Sequence, residues 1–301
     1  PEREMNNLSP QAIRTLVVAT DLSPSSEIAV DQAARLAKGW NAELVLLHVF
    51  NDGVWATLTA IYESELWAGT EPVLIARNRL SQQARDVAER YGVRVRADTR
   101  TGRAASEIAA FCQEQKAQLL VVGEHGEDWV GDTVLGGTAL RVLARANLPV
   151  LLVRRAVISE LSSILLATDF TDSATRAAQL SLDWFPNVRQ RLIHAYTVAF
   201  EGHMRMAGVL LDQIDRYRKD ELARAERRMQ AQVLSLRTEA LIGTRLVHGY
   251  PATVLPREIE RLGGDLLVIG KHGGTTLDER LLGSVTQNLL YHAGCNVLLV
   301  P

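Results

Sequence analysis

Four residues near the end of the chain, Gly270, Gly273, Gly283 and Ser284, have the types and the spacing that an anion site needs. The apolar run 266–269 before them predicts a buried strand, and the residues after Ser284 predict a helix. Glycines let the backbone approach a ligand closely, and free N–H groups at a helix start point at negative charge. The serine hydroxyl adds one more donor. The stretch therefore predicts a phosphate-binding connection, with tight packing of strand against helix as the alternative.

The same pattern occurs earlier in the chain, 147 residues upstream, as Gly123, Gly126 and Gly136. Other parts that match at nearly this shift are His125 with His272, Asp21 with Asp169, His48 with His194, and residues 150–153 with 297–300. The nearly constant shift indicates two copies of one unit, each long enough to bury its own core. We expect two domains, at residues 1–157 and 158–301.

The composition argues against several classes of partner. The 301 residues carry 33 Lys and Arg against 35 Asp and Glu, a formal net charge of −2, so we expect no nucleic-acid partner. No apolar run approaches the roughly 20 residues of a membrane span, so no membrane partner is expected. The two cysteines, Cys112 and Cys295, occupy different positions in the two units and lack metal-ligand spacing. We therefore expect reduced thiols, no metal site and a cytoplasmic protein.

Apolar segments alternate with amphipathic helical segments along the whole chain. Buried strands are predicted near residues 15–20, 43–49, 93–98, 119–122 and 150–153 in the first unit, and near 164–168, 191–195, 244–247, 266–269 and 297–300 in the second. Ser23 and Pro24 predict the start of the first helix, as N-cap and first helical residue. Continuous apolar strands separated by such helices predict a parallel sheet covered on both faces.

The last strand of each unit is the apolar tetrapeptide Val-Leu-Leu-Val, at 150–153 and 297–300. A last strand in this order is an edge, and an exposed apolar edge promotes aggregation. Two identical edges suggest that they meet each other across a pseudo-twofold axis, which the short linker 154–159 allows. We therefore expect an intramolecular pseudo-dimer, and a homodimer of whole chains stays open.

With both units laid out, the chain resembles the universal stress protein family in its tandem two-domain form, over nearly its whole length. The most specific element is a family signature for ATP binding: Gly, two residues, Gly, nine residues, Gly, then Ser or Thr. The second unit carries the signature in full, whereas in the first unit Gly137 stands where Ser or Thr is expected. The resemblance implies two tandem doubly wound, Rossmann-like α/β domains. Each would have a five-stranded parallel sheet, helices on both faces, and ligand at the carboxyl ends of the strands.

The resemblance also implies which residues contact an adenine nucleotide, namely ATP with or without Mg²⁺. Asp21 and Asp169 follow the first strand of their units, where members of the family contact the nucleotide. Val49 and Ala195 fall where those members contact adenine. The implied phosphate contacts are Gly270, His272, Gly273, Gly283, Ser284, Val285 and Thr286 in the second unit, and Gly123, His125, Gly126 and Gly136 in the first.

The residues themselves leave alternatives open at several of these positions. Asp169 can bind a ribose hydroxyl or a metal on the phosphates, or it can be a turn residue that receives local backbone hydrogen bonds. His272 can contact a phosphate or fill the turn. His48 and His194, inside apolar strands, are predicted to be hydrogen-bonded core residues. Lys271 is predicted to be a solvated bystander in the loop.

No catalytic set is evident in the sequence, which lacks a P-loop motif, a carboxylate pair and a nucleophile with its base. Hydrolysis of ATP also needs a positioned water and charge-neutralising groups. The leading hypothesis is a stress protein that binds ATP, at least in the second domain, and acts as a regulator or sensor. The alternatives are a ligand-free scaffold that works through its surface, and a slow ATPase on the same fold.

Overall fold

A computed structural model of the chain describes residues 13–51, 53, 71–125, 135–156, 161–271 and 282–301. The strands in these ranges are β1 (Thr15–Ala19), β2 (Glu43–Phe50), β3 (Val95–Thr101), β4 (Leu119–Gly123), β5 (Val150–Val153), β6 (Ser163–Ala167), β7 (Arg189–Tyr196), β8 (Gly243–His248), β9 (Leu266–Gly270) and β10 (Asn296–Val300). The helices are α1 (Pro24–Trp40), α2 (Pro72–Tyr91), α3 (Ala104–Glu114), α4 (Gly137–Arg145), α5 (Asp172–Trp184), α6 (Glu201–Met206), α7 (Leu211–Ser235), α8 (Pro251–Leu262) and α9 (Ser284–His292).

The strands form one sheet of ten in the order β3-β2-β1-β4-β5-β10-β9-β6-β7-β8. The first unit, β1–β5 with its helices, and the second unit, β6–β10 with its helices, each contribute five parallel strands. In each unit the order reverses beside the first strand, between β1 and β4 or between β6 and β9. Ligands bind at such switch points in doubly wound sheets. The predicted fold class is confirmed, and the two five-stranded sheets are joined into a larger one.

The join is an antiparallel pairing of β5 with β10, in which Leu151 lies opposite Leu298 and Leu152 lies opposite Val297. All four of these side chains are buried. The edge strands of the two units therefore supply each other's backbone hydrogen-bond partners, as the identical tetrapeptides predict. The expected domain boundary near residue 157 lies outside the described residues and stays a prediction.

The core has two layers, one on each face of the sheet. Buried side chains of α1, α2, α5 and α7 cover one face, and those of α3, α4, α8 and α9 cover the other. The start of α1 agrees with the sequence, because the Ser23 hydroxyl accepts a hydrogen bond from the Ser26 N–H and Pro24 is the first helical residue. Helices on both faces leave the carboxyl ends of the strands as the open edge where a ligand can bind.

Two elements differ from the prediction because tertiary contacts decide them. Strand β3 runs from Val95 to Thr101 rather than over 93–98, and it pairs with β2 at the edge of the sheet. The short helix α6 is not predicted. It is held by Glu201, whose carboxylate receives Arg218 from α7 and His248 Nε2, the latter at 2.9 Å. A helix of six residues is not stable on its own in water. It depends on these long-range contacts, which the local sequence pattern does not show.

Candidate functional site

The second signature lies where β9 ends and α9 begins. Gly283 is the N-cap of α9, Ser284 is its first residue, and no side chain caps this helix start. The first amides of a helix have no intrahelical acceptor, and together they favour an anion. Ser284 is exposed, so its hydroxyl can add a donor at the same point. This helix start is suited to a phosphate.

Thr286 has a structural contact in addition to its predicted role. Its hydroxyl donates to the carbonyl of Gly270 at 3.1 Å, and the side chain is buried. This bond ties the first turn of α9 to the end of β9. Val285 is half-buried and packs against the adjoining core. Of the three residues that follow Gly283, only Ser284 is exposed to solvent.

Gly270 has a packing role that favours the alternative reading of the glycine pattern at this position. A Cβ added there would lie 2.7 Å from Ser173 Oγ, 3.1 Å from the Ser173 carbonyl carbon and 3.2 Å from the Ala174 nitrogen. Two of these atoms are backbone, so the first turn of α5 cannot move aside cheaply. The glycine is needed for close approach of β9 to α5, whether or not a ligand binds.

The turn after β6 places Asp169 across the switch point from Gly270. Asp169 Oδ1 accepts from the Thr171 N–H at 3.1 Å and from the Thr171 hydroxyl at 2.5 Å. Phe170 has a φ of 65°, and Thr171 in turn caps α5. The turn role is therefore present at Asp169. The exposed carboxylate has lone pairs beyond these two bonds, so a ligand hydroxyl can still bind there.

The first unit repeats this turn. Asp21 Oδ1 accepts from the Ser23 N–H at 3.1 Å and from the Ser23 hydroxyl at 2.5 Å. Leu22 has a φ of 66°, matching Phe170 in the second unit. The geometry after the first strand is thus common to both units, and it does not distinguish them as ligand sites.

The two strand histidines hold these turns in place. His194 Nδ1 donates to the Thr168 carbonyl at 2.8 Å, and His48 Nδ1 donates to the Thr20 carbonyl at 2.9 Å. Burial lowers the pKa of His194, so the neutral ring with hydrogen on Nδ1 is favoured. The expected hydrogen-bonded role is confirmed. The sequence did not indicate that each acceptor is the residue just before the turn aspartate.

The predicted adenine contacts lie at the ends of the second strands. Ala195 in β7 is 6% exposed, and Val49 in β2 is half-buried. The residue after Ala195, Tyr196, has its ring centroid 5.4 Å from that of His248 on the neighbouring strand β8. Since β9, β6 and β7 are adjacent, Gly270, Asp169 and Ala195 share one edge of the sheet.

The corresponding helix start in the first unit differs. Gly136 is the N-cap of α4 and Gly137 is its first residue, with no side-chain cap. The Gly136 N–H donates to the Glu124 carbonyl at 3.0 Å. A Cβ at Gly137 would lie 3.3 Å from Nη1 of Arg141, so that guanidinium lies close to the helix start. Gly123 ends β4 without the tight contact found at Gly270.

Three of the predicted site residues, Gly126, His272 and Gly273, lie outside the residues that the structure describes. Their roles stay predictions. His125 is described, and its Nδ1 lies 3.8 Å from the carboxylate of Glu124.

Comparison with known proteins decides the family. Residues 12–154 and residues 161–301 each match the universal stress protein family. The chain belongs to this family. A universal stress protein of Mycolicibacterium smegmatis is 25% identical over 292 residues, which cover 95% of this chain and 96% of that protein.

A solved structure of similar length shares the fold of this chain. The crystal structure of a universal stress protein from Archaeoglobus fulgidus has the same fold, with a TM-score of 0.63 at 17% identity, and the match covers 95% of this chain and 97% of that one. A universal stress protein solved in complex with cAMP is 29% identical, covering 48% of this chain and 98% of its own, with a TM-score of 0.35.

Lys271 does not behave as the sequence predicts. In this universal stress protein its side chain is 2% exposed, and Nζ donates to the Ala146 carbonyl at 3.0 Å. Ala146 is the C-cap of α4 in the first unit. The prediction that Lys271 is a solvated bystander was wrong, because the first unit packs against the start of the loop. The sequence does not show which surfaces the two units bury against each other.

The remaining chemistry of the described ranges is limited. No group of three or more His, Cys, Asp or Glu side chains in them could hold a metal ion. Burial raises the pKa of the Cys112 thiol to about 12 and that of Cys295 to about 11, so both are protonated and unreactive at neutral pH. Among the helices that the structure describes, none has the length and apolar character to cross a membrane.

Proposed function

We propose that this universal stress protein binds an adenine nucleotide, ATP, at the switch point of its second unit, and that binding makes it a regulator or sensor. The observation that carries the proposal is the uncapped start of α9. The amides of the first turn, from Ser284 onward, and the Ser284 hydroxyl are presented there, across the switch point from the Asp169 carboxylate. Donors for phosphate and an acceptor for a ribose hydroxyl are thereby available at one edge.

Each side chain has a defined part in this proposal. The α9 amides and the Ser284 hydroxyl donate to the phosphates, and Gly283 allows the close approach. Asp169 accepts from a ribose hydroxyl with the lone pairs that Thr171 leaves available. Ala195 lies under the adenine at the end of β7. Mg²⁺, if it takes part, arrives bound to the phosphates, which are its usual ligands in such sites.

The first unit is the weaker site in this proposal. Gly137 offers only its backbone N–H where Ser284 also offers a hydroxyl. A hydrogen bond to a charged group contributes about 1.5–3 kcal/mol, which corresponds to roughly tenfold or more in affinity. The turn at Asp21 is intact, so the two units differ mainly at the phosphates.

The function consists of binding rather than turnover. Within the described residues, no base is placed beside the start of α9 to activate a water, and the part proposed for the Asp169 carboxylate is to accept from the ribose. Bound ATP should survive for many minutes. A metal-dependent hydrolysis rate near about 1 s⁻¹, within the usual enzyme range, would favour the slow-ATPase alternative instead.

The first experiment identifies the ligand. Mass spectrometry of small molecules released from denatured, purified protein should find an adenine nucleotide. Calorimetry should then show that Ser284→Ala weakens ATP binding about tenfold. Gly137→Ala is the matched control, because it changes the equivalent position of the other unit. Equal ATP binding by both variants and the parent would show that the site is wrongly assigned, and no binding by any of the three would support the ligand-free scaffold.

The proposal also covers organisation and location. The chain forms two domains, residues 1–157 and 158–301, and it resides in the cytoplasm, where ATP is available. Limited proteolysis that cuts first near residue 157, and fractionation of cells that express the protein, test these two statements.

A further inference from the structure

Lys271 joins three parts of the second unit through its backbone. It follows Gly270 at the end of β9. Its N–H donates to the Val300 carbonyl of β10 at 2.7 Å, and its carbonyl accepts from the N–H of Gly283, the N-cap of α9, at 3.4 Å. The position of this one residue therefore influences Gly270 and Gly283, the two signature glycines of the second unit that the structure describes.

The side chain of Lys271 reaches across the join to the first unit. It is buried, and Nζ donates to the Ala146 carbonyl at the end of α4. Burying an amine is costly unless it has polar partners. The carbonyls at a helix C-terminus carry partial negative charge and are suitable partners. Docking of the first unit thus supplies a polar partner for the buried Lys271 amine.

The reverse contact uses a different residue. Arg154 of the first unit donates to the Ala293 carbonyl at 2.8 Å and to the Leu290 carbonyl, at the end of α9. Ala146 and Ala293 are equivalent positions, 147 residues apart. The position equivalent to Lys271 is Glu124, and its carboxylate lies 3.1 Å from Arg154 Nη1. Between these two equivalent residues, Lys271 bonds across the join, whereas Glu124 pairs within its own unit.

Helix α9 is consequently held at both ends by contacts that involve the first unit. At its N-terminus, Gly283 is bonded to the backbone of Lys271, whose side chain is bonded to Ala146. At its C-terminus, the last carbonyls receive Arg154. A shift of the first unit would remove the acceptor of the Lys271 amine and displace the start of α9.

We propose that Lys271 is a positioning residue that couples docking of the first unit to ATP binding at the second. The inference rests on the proposed function. With Lys271 anchored on Ala146, its carbonyl holds Gly283 where the start of α9 can receive phosphates. Without this anchor the start of α9 shifts and ATP binds more weakly. Because coupling between two equilibria is reciprocal, bound ATP also strengthens the docking of the two units.

The test compares two variants of the full chain. Lys271→Met keeps a long apolar side chain and removes the amine. Arg155→Met is the matched control, since Arg155 donates to the Gly264 carbonyl across the join at 2.9 Å and has no hydrogen bond to the described residues of the signature loop. Lys271→Met should lower ATP affinity by about tenfold, within the usual range of coupling between sites. Arg155→Met should change the ATP affinity less than about twofold. Lys271→Arg, which keeps a positive charge and hydrogen-bond donors, should keep most of the parent affinity.

Hydrogen exchange supplies a readout that does not need ATP. The amides of residues 271 and 283 should exchange faster in Lys271→Met than in the parent, and at the parent rate in Arg155→Met. In the parent chain, ATP should slow exchange along β5 and β10, which needs no variant and therefore holds even if Lys271→Met fails to fold.

The outcomes separate this inference from the proposed function. A parent chain that binds no ATP would overturn both. Normal parent binding together with unchanged affinity in Lys271→Met would overturn the coupling alone. Equal losses in Lys271→Met and Arg155→Met, or no effect of ATP on exchange in β5 and β10, would also contradict it, because the loss would then come from general loosening of the join.

Discussion

The two units share one strand order, yet their signature helices begin differently. α9 starts with Gly283 and Ser284, whereas α4 starts with Gly136 and Gly137, and the guanidinium of Arg141 lies close to Gly137. In contrast, the paired strands β5 and β10 have the same apolar residues. Burial of matching strands leaves little freedom for change, while a helix start that faces solvent can differ without harm to the fold.

A second difference concerns how each unit fastens its outer strand to a helix. In the second unit Glu258 of α8 receives Arg245 of β8 and Arg261, each with a closest approach of 2.6 Å. The equivalent position in α3 is Phe111, which is fully buried beneath the guanidinium of Arg100. At this position the second unit has an ion pair, and the first unit has a buried aromatic ring. The stability of the two units should therefore respond differently to pH.

The largest expected effect tests what the units have in common. Leu152 and Leu299 are equivalent, buried residues of the join, so Lys at either position would bury a charge in the core layer between the sheet and its helices. Each substitution should lower the free energy of unfolding by at least about 4 kcal/mol, measured by denaturant titration. Leu241→Lys is the control, because that side chain is 98% exposed. Small or very unequal losses would show that the two strands do not form an equivalent interface.

A comparison of glycines should show a smaller difference between the units. Gly270→Ala places a Cβ against the backbone of α5 and should cost about 1–3 kcal/mol of unfolding free energy. Gly123→Ala meets atoms only at 3.6 Å or beyond, so its effect should stay within about 1 kcal/mol. Thermal unfolding of both variants checks this. If both tolerate alanine equally, the close contact at Gly270 does not constrain the chain.

Much of this architecture follows from local patterns in the sequence. The repeat, the apolar strands and the Ser23–Pro24 helix start are visible because burial and capping have short-range signatures. Lys271 shows the limit. A lysine beside a glycine in such a stretch is typical of a solvated loop, but in the folded chain it is buried and bonded to the first unit. The turn at Asp169 could be predicted, but its support by His194 depends on strand pairing that residue spacing does not reveal.

The pH dependence should separate the two outer strands. The hydrogen bond from Arg261, together with that from Arg245, lowers the pKa of Glu258 to about 2. Because the folded-state pKa is below the unfolded one of 4.5, this group stabilises the fold above that pH and loses its effect as pH falls toward 2. Glu258→Gln should cost about 1–2 kcal/mol at pH 7, since partly exposed arginines weaken the pair. The difference in stability between parent and variant should shrink as pH falls from about 5 to about 2.

The control for this prediction lies in the first unit. Phe111→Leu should cost about 1 kcal/mol or more through lost packing, with no dependence on pH in the same range. A loss for Glu258→Gln that is as large at pH 3 as at pH 7 would show that packing, rather than the ion pair, accounts for the stability at that position.

The smallest predicted effect sharpens the contrast at the helix starts. Gly137→Ser adds the hydroxyl that the first unit lacks, and the end of the flexible Arg141 side chain can move to admit it. ATP affinity of the first unit should rise, by up to about tenfold. The variant is best titrated in a Ser284→Ala background, where the tighter site is weakened. No change would mean that the hydroxyl is not what distinguishes the units.

The most direct test of the central claim is the stoichiometry of ATP binding to the parent chain by titration calorimetry. The account predicts one tight site per chain, which Gly283→Val removes by filling the space at the start of α9 and Gly137→Ala leaves unchanged. Two sites of equal affinity, or a tight site that survives Gly283→Val, would contradict it.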